Sequence, residues 1–166
     1  MKKYFVLLLL VIFSSCDNGD FEIPSFEFSE TVQSCGQYVL YRTNATKTEA
    51  LVLVLNTSVI KNQVSANPIT LAISPENTQY RIFDGPIGAT YFCQTLPPTL
   101  PQVIKNWQGI AGTNSFIQIN TTTNNNTNGE LIGYKHAISL VNMRLQNGDQ
   151  TITYQNYIFG TFTTSL

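Results

Sequence analysis

The side chains here that can carry chemistry are few: three cysteines, one histidine and ten carboxylates in 166 residues. The carboxylates Asp17, Asp20, Glu22, Glu27 and Glu30 crowd behind Cys16, while Glu49, Glu76, Asp84, Glu130 and Asp149 are spread along the rest of the chain. Catalysis needs an acid or base beside a nucleophile or a metal. His136 stands in the alternating run Leu131–Val141, sharing a face with Ile132, Tyr134, Ile138 and Leu140. That face is apolar, so the imidazole is expected to point inward and bond to a backbone or hydroxyl partner. A glycosidase needs two carboxylates a few ångströms apart. The dispersed acids mostly adjoin turn signals, and no spacing joins two of them. HExxH, GxSxG, a Gly-rich phosphate loop and an Asp-dense calcium loop are all absent from the sequence. With one histidine and no CxxC, a zinc site has no ligand set. The sequence therefore assigns no catalytic residue, metal or cofactor.

The first sixteen residues are more specific. Lys2 and Lys3 precede an unbroken apolar run from Tyr4 to Phe13, and Ser14-Ser15-Cys16 follows. A basic start, a short apolar stretch and small residues make a secretory signal peptide over residues 1–15. The run is too short for a spanning helix, which takes about 20 residues. Cys16 after the two serines resembles the lipobox of bacterial lipoproteins, in which that cysteine is diacylated and becomes the mature N-terminus. Phe13 stands where that pattern more often has Leu, and the resemblance covers only the export segment. It implies lipidation of Cys16, a membrane partner through that anchor, and residence in a bacterial cell envelope on the periplasmic or surface face of the outer membrane. The acidic residues behind Cys16 resemble the surface-export signal of lipoproteins in the Bacteroidetes group. An acidic linker reads the same way, and Asp17 directly after the cysteine can also mark inner-membrane retention. Plain secretion, with Cys16 left as a thiol, is the alternative. If Cys16 carries lipid, Cys35 and Cys93 remain as a pair, and an oxidising compartment joins them. Such a disulfide closes a loop of roughly sixty residues, for at most about 4 kcal/mol of stability. A reactive role for either cysteine would want basic neighbours or a second soft ligand, and neither is present.

Without the signal, about 150 residues remain, the size of one domain. Charged residues are 11% of the chain, and Asn, Thr, Phe and Tyr are frequent, which suits pleated sheets better than exposed helices. Nine Lys and Arg, less Lys2 and Lys3, leave seven basic side chains against ten acidic ones. No basic stripe exists, which argues against nucleic acid as a partner.

Residues 16–33 read as the lipidated cysteine and an acidic tether that condenses into an edge strand at Phe26–Phe28, and residues 34–166 as a single domain. Strand patterns cover Gln37–Arg42, Leu51–Leu55, Ile69–Ser74, Tyr80–Phe83, Phe116–Thr121 and Leu131–Val141. Leu51–Leu55 is apolar throughout, as in a strand covered on both faces. Asn147-Gly148 between Ile138–Gln146 and Gln150–Phe159 predicts a β-hairpin with an Asn-Gly loop, closing a C-terminal meander. Thr121–Asn128 reads as a solvated loop. Thr99, Pro101 and the spacing of Leu100, Val103, Ile104 and Trp107 predict one short helix ending at Gly109. The expectation is an all-β, antiparallel β-sandwich of about seven to nine strands with that helix over one end. Trp107 and Tyr157, with Tyr134 and Tyr154, can form a stacking platform for a sugar, although core packing is the favoured reading for Trp107, since it completes the helix's apolar stripe. Ile152 and Tyr154 share one parity, Tyr157 and Phe159 the other, which predicts a bulge near Gln155–Asn156. The function expected is a lipid-anchored binding or structural module whose partner is a polysaccharide or an envelope protein. The alternative is a polysaccharide hydrolase using a Glu/Asp pair.

Overall fold

The computed structural model describes residues 26–28, 31–96, 98–112 and 114–166. The expected signal peptide, Cys16, and the expected tether up to residue 25 and at residues 29–30 lie outside them. The described chain forms β1 (Gln33–Cys35), β2 (Val39–Thr43), β3 (Glu49–Val54), β4 (Ile69–Ala72), β5 (Thr78–Phe83), a 3₁₀ turn (Tyr91–Cys93), β6 (Val103–Gly109), β7 (Phe116–Asn125), β8 (Leu131–Asn147) and β9 (Gln150–Ser165). The all-β antiparallel class expected is the class found. The nine strands join in one sheet, ordered β1-β2-β3-β5-β6-β8-β7-β4, with β9 on the remaining side of β8.

The long β8–β9 hairpin organises this sheet. Its paired closing residues are Asn147 and Gln150, so the two-residue loop is Gly148-Asp149, one position later than an Asn-Gly loop. Gly148 takes φ 58° at the first loop position, which a side chain would resist. Along one side β8 pairs with β9; along the other, its first part pairs with β7 and its end, at Leu145 and Gln146, with β6. The handover occurs at Asn142, whose φ is 47° and whose side-chain amide donates to the Asn114 carbonyl at 3.1 Å. Before it His136, Ile138 and Leu140 face inward; after it Met143 and Leu145 do. The parity switch in β9 at Gln155–Asn156 lies opposite this kink, with the register unchanged across it. The bulge itself comes later: Ile138 pairs with Gly160 and Ser139 with Ile158, leaving Phe159 as the extra residue.

Because the hairpin serves both parts of the sheet, their inner faces close on one core. Leu40, Leu51, Leu53, Tyr80 and Trp107 from one part meet Ile117, Ile119, Ile138, Leu140 and Phe159 from the other. Strand β3 is covered on both faces. Leu51 and Leu53 enter this core, while Ala50 and Val52 join a second cluster with Tyr41, Phe83, Ile87 and Tyr91. The β5–β6 connection covers that outer face. The Tyr41 hydroxyl donates to the Ala89 carbonyl at 2.6 Å, and the Tyr41 and Phe92 rings lie 4.8 Å apart. Arg81 sits over the Phe92 ring at 5.9 Å. A Cys35–Cys93 disulfide, with Cα atoms 5.1 Å apart, staples this connection to β1.

Three local expectations are corrected. The predicted helix after Thr99 is instead an irregular segment leading into β6, which pairs with β5 so that Tyr80 opposes Trp107. Leu100, Val103 and Ile104 are exposed, so their helical spacing marks no buried stripe. Val103, Ile104 and Trp107 prefer extended backbone, and ten residues give too few turns to override that. Gly109 answers a close approach: a Cβ there would lie 2.7 Å from Ile73 Cγ2 and 2.8 Å from the Ser74 carbonyl oxygen. The Thr121–Asn128 tract is strand as far as Asn125, because β-branched threonines suit an exposed ladder, and only residues 126–130 turn. There the Asn126 side-chain oxygen accepts the Asn128 and Glu130 amides at 3.0 and 2.9 Å. Finally, Phe26–Phe28 is no edge strand, and its two rings are buried in the main core.

The staple closes a separation of 58 residues. In chemical denaturation, the Cys35→Ser/Cys93→Ser double variant is expected to lose up to about 4 kcal/mol. A loss below about 1 kcal/mol would show that the aromatic cluster holds the β5–β6 connection unaided.

Candidate functional site

The buried polar constellation centres on His136, which is 0% exposed. Strands β7, β8 and β9 align Thr121, His136 and Phe162 as opposed residues, with Thr164 two positions beyond. His136 Nδ1 lies 2.9 Å from Thr121 Oγ1, and Nε2 lies 3.1 Å from Thr164 Oγ1. The Thr164 hydroxyl donates its proton to Asn62 Oδ1 at 2.7 Å, so toward the ring it can only accept. Nε2 therefore carries the hydrogen, and Nδ1 accepts from the Thr121 hydroxyl. Every polar atom of the neutral ring is satisfied, and the Phe162 ring stacks on it with centroids 6.0 Å apart. Burial pushes the His136 pKa down, because an imidazolium would lose its hydration. The arrangement ties the Asn62 loop to the sheet and leaves no free nitrogen to act on a substrate.

The carboxylates serve local structure. Glu49 accepts from the Tyr80 hydroxyl at 2.7 Å, Asp84 from the Gln102 amide at 2.8 Å and Glu130 from Asn126 Nδ2 at 2.7 Å. A hydrogen bond with the Ser74 side chain, then one with its own backbone, holds Glu76 below the usual carboxylate range, the reverse of what a general acid needs. Asp149 sits in the β8–β9 loop. Among the described residues no three His, Cys, Asp or Glu side chains gather as a metal would require.

The expected stacking platform is not on the surface. Trp107 is 1% exposed and belongs to the core, so it offers no ring face to a ligand. Tyr157 is half-buried, and its ring is met edge-on by Phe26 and Phe28 at 6.1 and 6.4 Å. Burial pushes its hydroxyl pKa up, partly offset by Arg42. Phe26 itself lies between Tyr80 and Tyr154, with ring centroids 4.7 and 4.4 Å away. The chain's own N-terminal aromatics thus fill the slot. Arg42 seals it, donating to the Phe28 carbonyl and, at 3.0 Å, to the Phe159 carbonyl. Sequence reasoning missed this seam, since a lone Arg in an alternating strand carries no sign of which carbonyls it will reach.

Two surface features remain. On the outer face of β7, β8 and β9 a hollow of about 280 Å³ is lined by uncharged groups, among them Gln118, Asn120, Ser139 and Thr161, beside Ile158, which is 79% exposed. From the segment after the disulfide into the start of β6, Leu96, Leu100, Val103 and Ile104 are 79, 69, 39 and 59% exposed. None of the described aromatic residues is exposed to a comparable degree. No family model, curated protein or solved structure matches this chain.

His136 makes stability depend on pH. Its folded pKa lies below its unfolded value of about 6.5, so the unfolded chain takes up the proton first as pH falls. Stability from this group is full above the unfolded value and is lost as pH drops through it toward the folded one. Urea titrations from pH 7.5 to 5 should show a smaller acid loss for His136→Gln than for the parent. An equal loss would assign the acid sensitivity to other groups.

Proposed function

We propose that this chain is a lipid-anchored cell-envelope lipoprotein that binds a protein partner and catalyses no reaction. The single observation that carries the choice of partner is the run of exposed aliphatic side chains at Leu96, Leu100, Val103 and Ile104. Exposed apolar side chains that cluster on a stable surface mark interaction sites. Here the segment carrying them is held by the Cys35–Cys93 disulfide and by the Tyr91 hydroxyl, which donates to the Pro101 carbonyl at 3.3 Å. A polysaccharide partner would favour a row of exposed aromatic rings, whereas each described one is buried or partly buried. The hollow beside Gln118 and Asn120 supports the polysaccharide reading through its amides and hydroxyls, and it is the second reading for that reason. The same hollow is lined by neither Asp nor Glu, which weighs against a hydrolase acting there. The anchor rests on Ser14-Ser15-Cys16, and among the described residues no helix is long and apolar enough to cross a membrane. Several acyl chains on Cys16 would hold the domain at the envelope, each buried CH₂ adding about 0.8 kcal/mol.

Two measurements test this. Mass spectrometry of the mature N-terminus should find an acylated Cys16, and an inhibitor of lipoprotein signal peptidase should leave the precursor uncleaved. An unmodified terminus would remove the anchor. A photo-crosslinking side chain at Leu100 should capture one envelope protein, while the same group at Asn120 captures none. Capture only at Asn120, with retardation in a polysaccharide gel, would replace the protein partner by a glycan.

A further inference from the structure

The sheet has three outer strands, and two of them are defended against pairing. Strand β1 has three residues and is stapled through Cys35. Strand β4 has four, with Pro68 before it and Pro75 after it. Short length, proline and charge are the usual devices that stop one sheet edge from adding to another. Strand β9 has none of them: it runs for 16 residues, Gln150–Ser165, without a Lys, Arg, Asp, Glu or Pro. Its later part is partly covered, because Arg42 reaches the Phe159 carbonyl and Val32 packs close to Gly160. From Gln150 to Asn156, however, the described backbone partners all belong to β8.

We infer that this earlier part of β9 pairs antiparallel with the same segment of a second copy of the chain. Identical antiparallel strands form a two-fold, self-complementary contact, in which each residue opposes another from the same short list. Here that list is uncharged. Thr151, Thr153 and Gln155 are exposed on one face, so hydroxyls and amides would meet hydroxyls and amides, and no like charges would be opposed. The absence of charge is what selects the second copy: a charged partner strand would find no complement on this edge. Each β9 would then satisfy its outward backbone groups, and the two nine-stranded sheets would continue through the junction. Confinement to a membrane plane would raise the effective concentration of copies without any new contact.

Sedimentation velocity on the detergent-solubilised mature protein tests this. The parent should be dimeric, and Thr151→Lys/Thr153→Lys should raise the dimer dissociation constant by about 100-fold through like-charge opposition across the two-fold. Its far-UV spectrum and thermal midpoint should stay close to the parent's, since both positions are exposed. A control, Thr70→Lys/Thr122→Lys, puts the same charges at exposed positions off β9 and should stay dimeric. A parent that is monomeric at all concentrations would overturn the inference. So would a dimer that survives lysines at 151 and 153, or one abolished by both pairs alike.

Discussion

The constraint on which the rest depends is the kink at Asn142, where β8 leaves β7 and takes up β6. A hairpin of 17 and 16 residues is far longer than most strands in small domains. Were it flat, its inward residues would stay in one parity and could line only one part of the sheet. The positive φ at Asn142 reverses the parity of β8, and β9 reverses opposite it, so Leu140 and Met143 both reach the same core. Two inner faces are thereby closed on each other by one continuous ladder. The buried polar groups obey the same geometry: His136 can sit at 0% exposure because Thr121 on one neighbour and Thr164 on the other present hydroxyls to its two nitrogens.

A second layer follows from β3 being apolar on both faces. Leu51 and Leu53 are consumed by the main core, which leaves Ala50 and Val52 in need of cover. The β5–β6 connection supplies it with Ile87, Tyr91 and Phe92, and the disulfide keeps that cover in place. The same connection then carries Leu96 and Leu100 outward on a braced support, and β6 opens with the exposed Val103 and Ile104. Structure and proposed docking surface are linked here: the residues that fix the segment are not the ones it displays.

Much of this was legible from residue order. The two-sided apolar run at Leu51–Leu55, the C-terminal meander, the parity switch in β9 and the pairing of Cys35 with Cys93 all have local or arithmetical signals, and each corresponds to something found. The failures share a cause. Leu100, Val103, Ile104 and Trp107 fit helical spacing, yet only Trp107 is buried, because the strand that claims it is β5, about 30 residues away in the chain. Thr121–Asn125 looks like a loop by composition and is strand because β8 lies beside it. Phe26, Phe28 and Arg42 form a seam whose partners, Tyr80, Tyr154 and Phe159, are scattered over the chain. No periodicity encodes such contacts. The core reading favoured for Trp107 is the one found, and Tyr157 is met by Phe26 and Phe28, which parity could not announce, since it says which residues share a face and not what covers that face.

The shared core can be probed directly by native-state hydrogen exchange along β8. If one hairpin locks both parts of the sheet together, the slowest amides of Ile138–Leu140, beside β7, and of Met143–Leu145, beside β6, open only in global unfolding. The account predicts the same opening free energy for both groups, equal to that from denaturant unfolding. Two groups differing by more than about 1.4 kcal/mol, a factor of ten in the opening constant, would mean that the parts open separately and would contradict it.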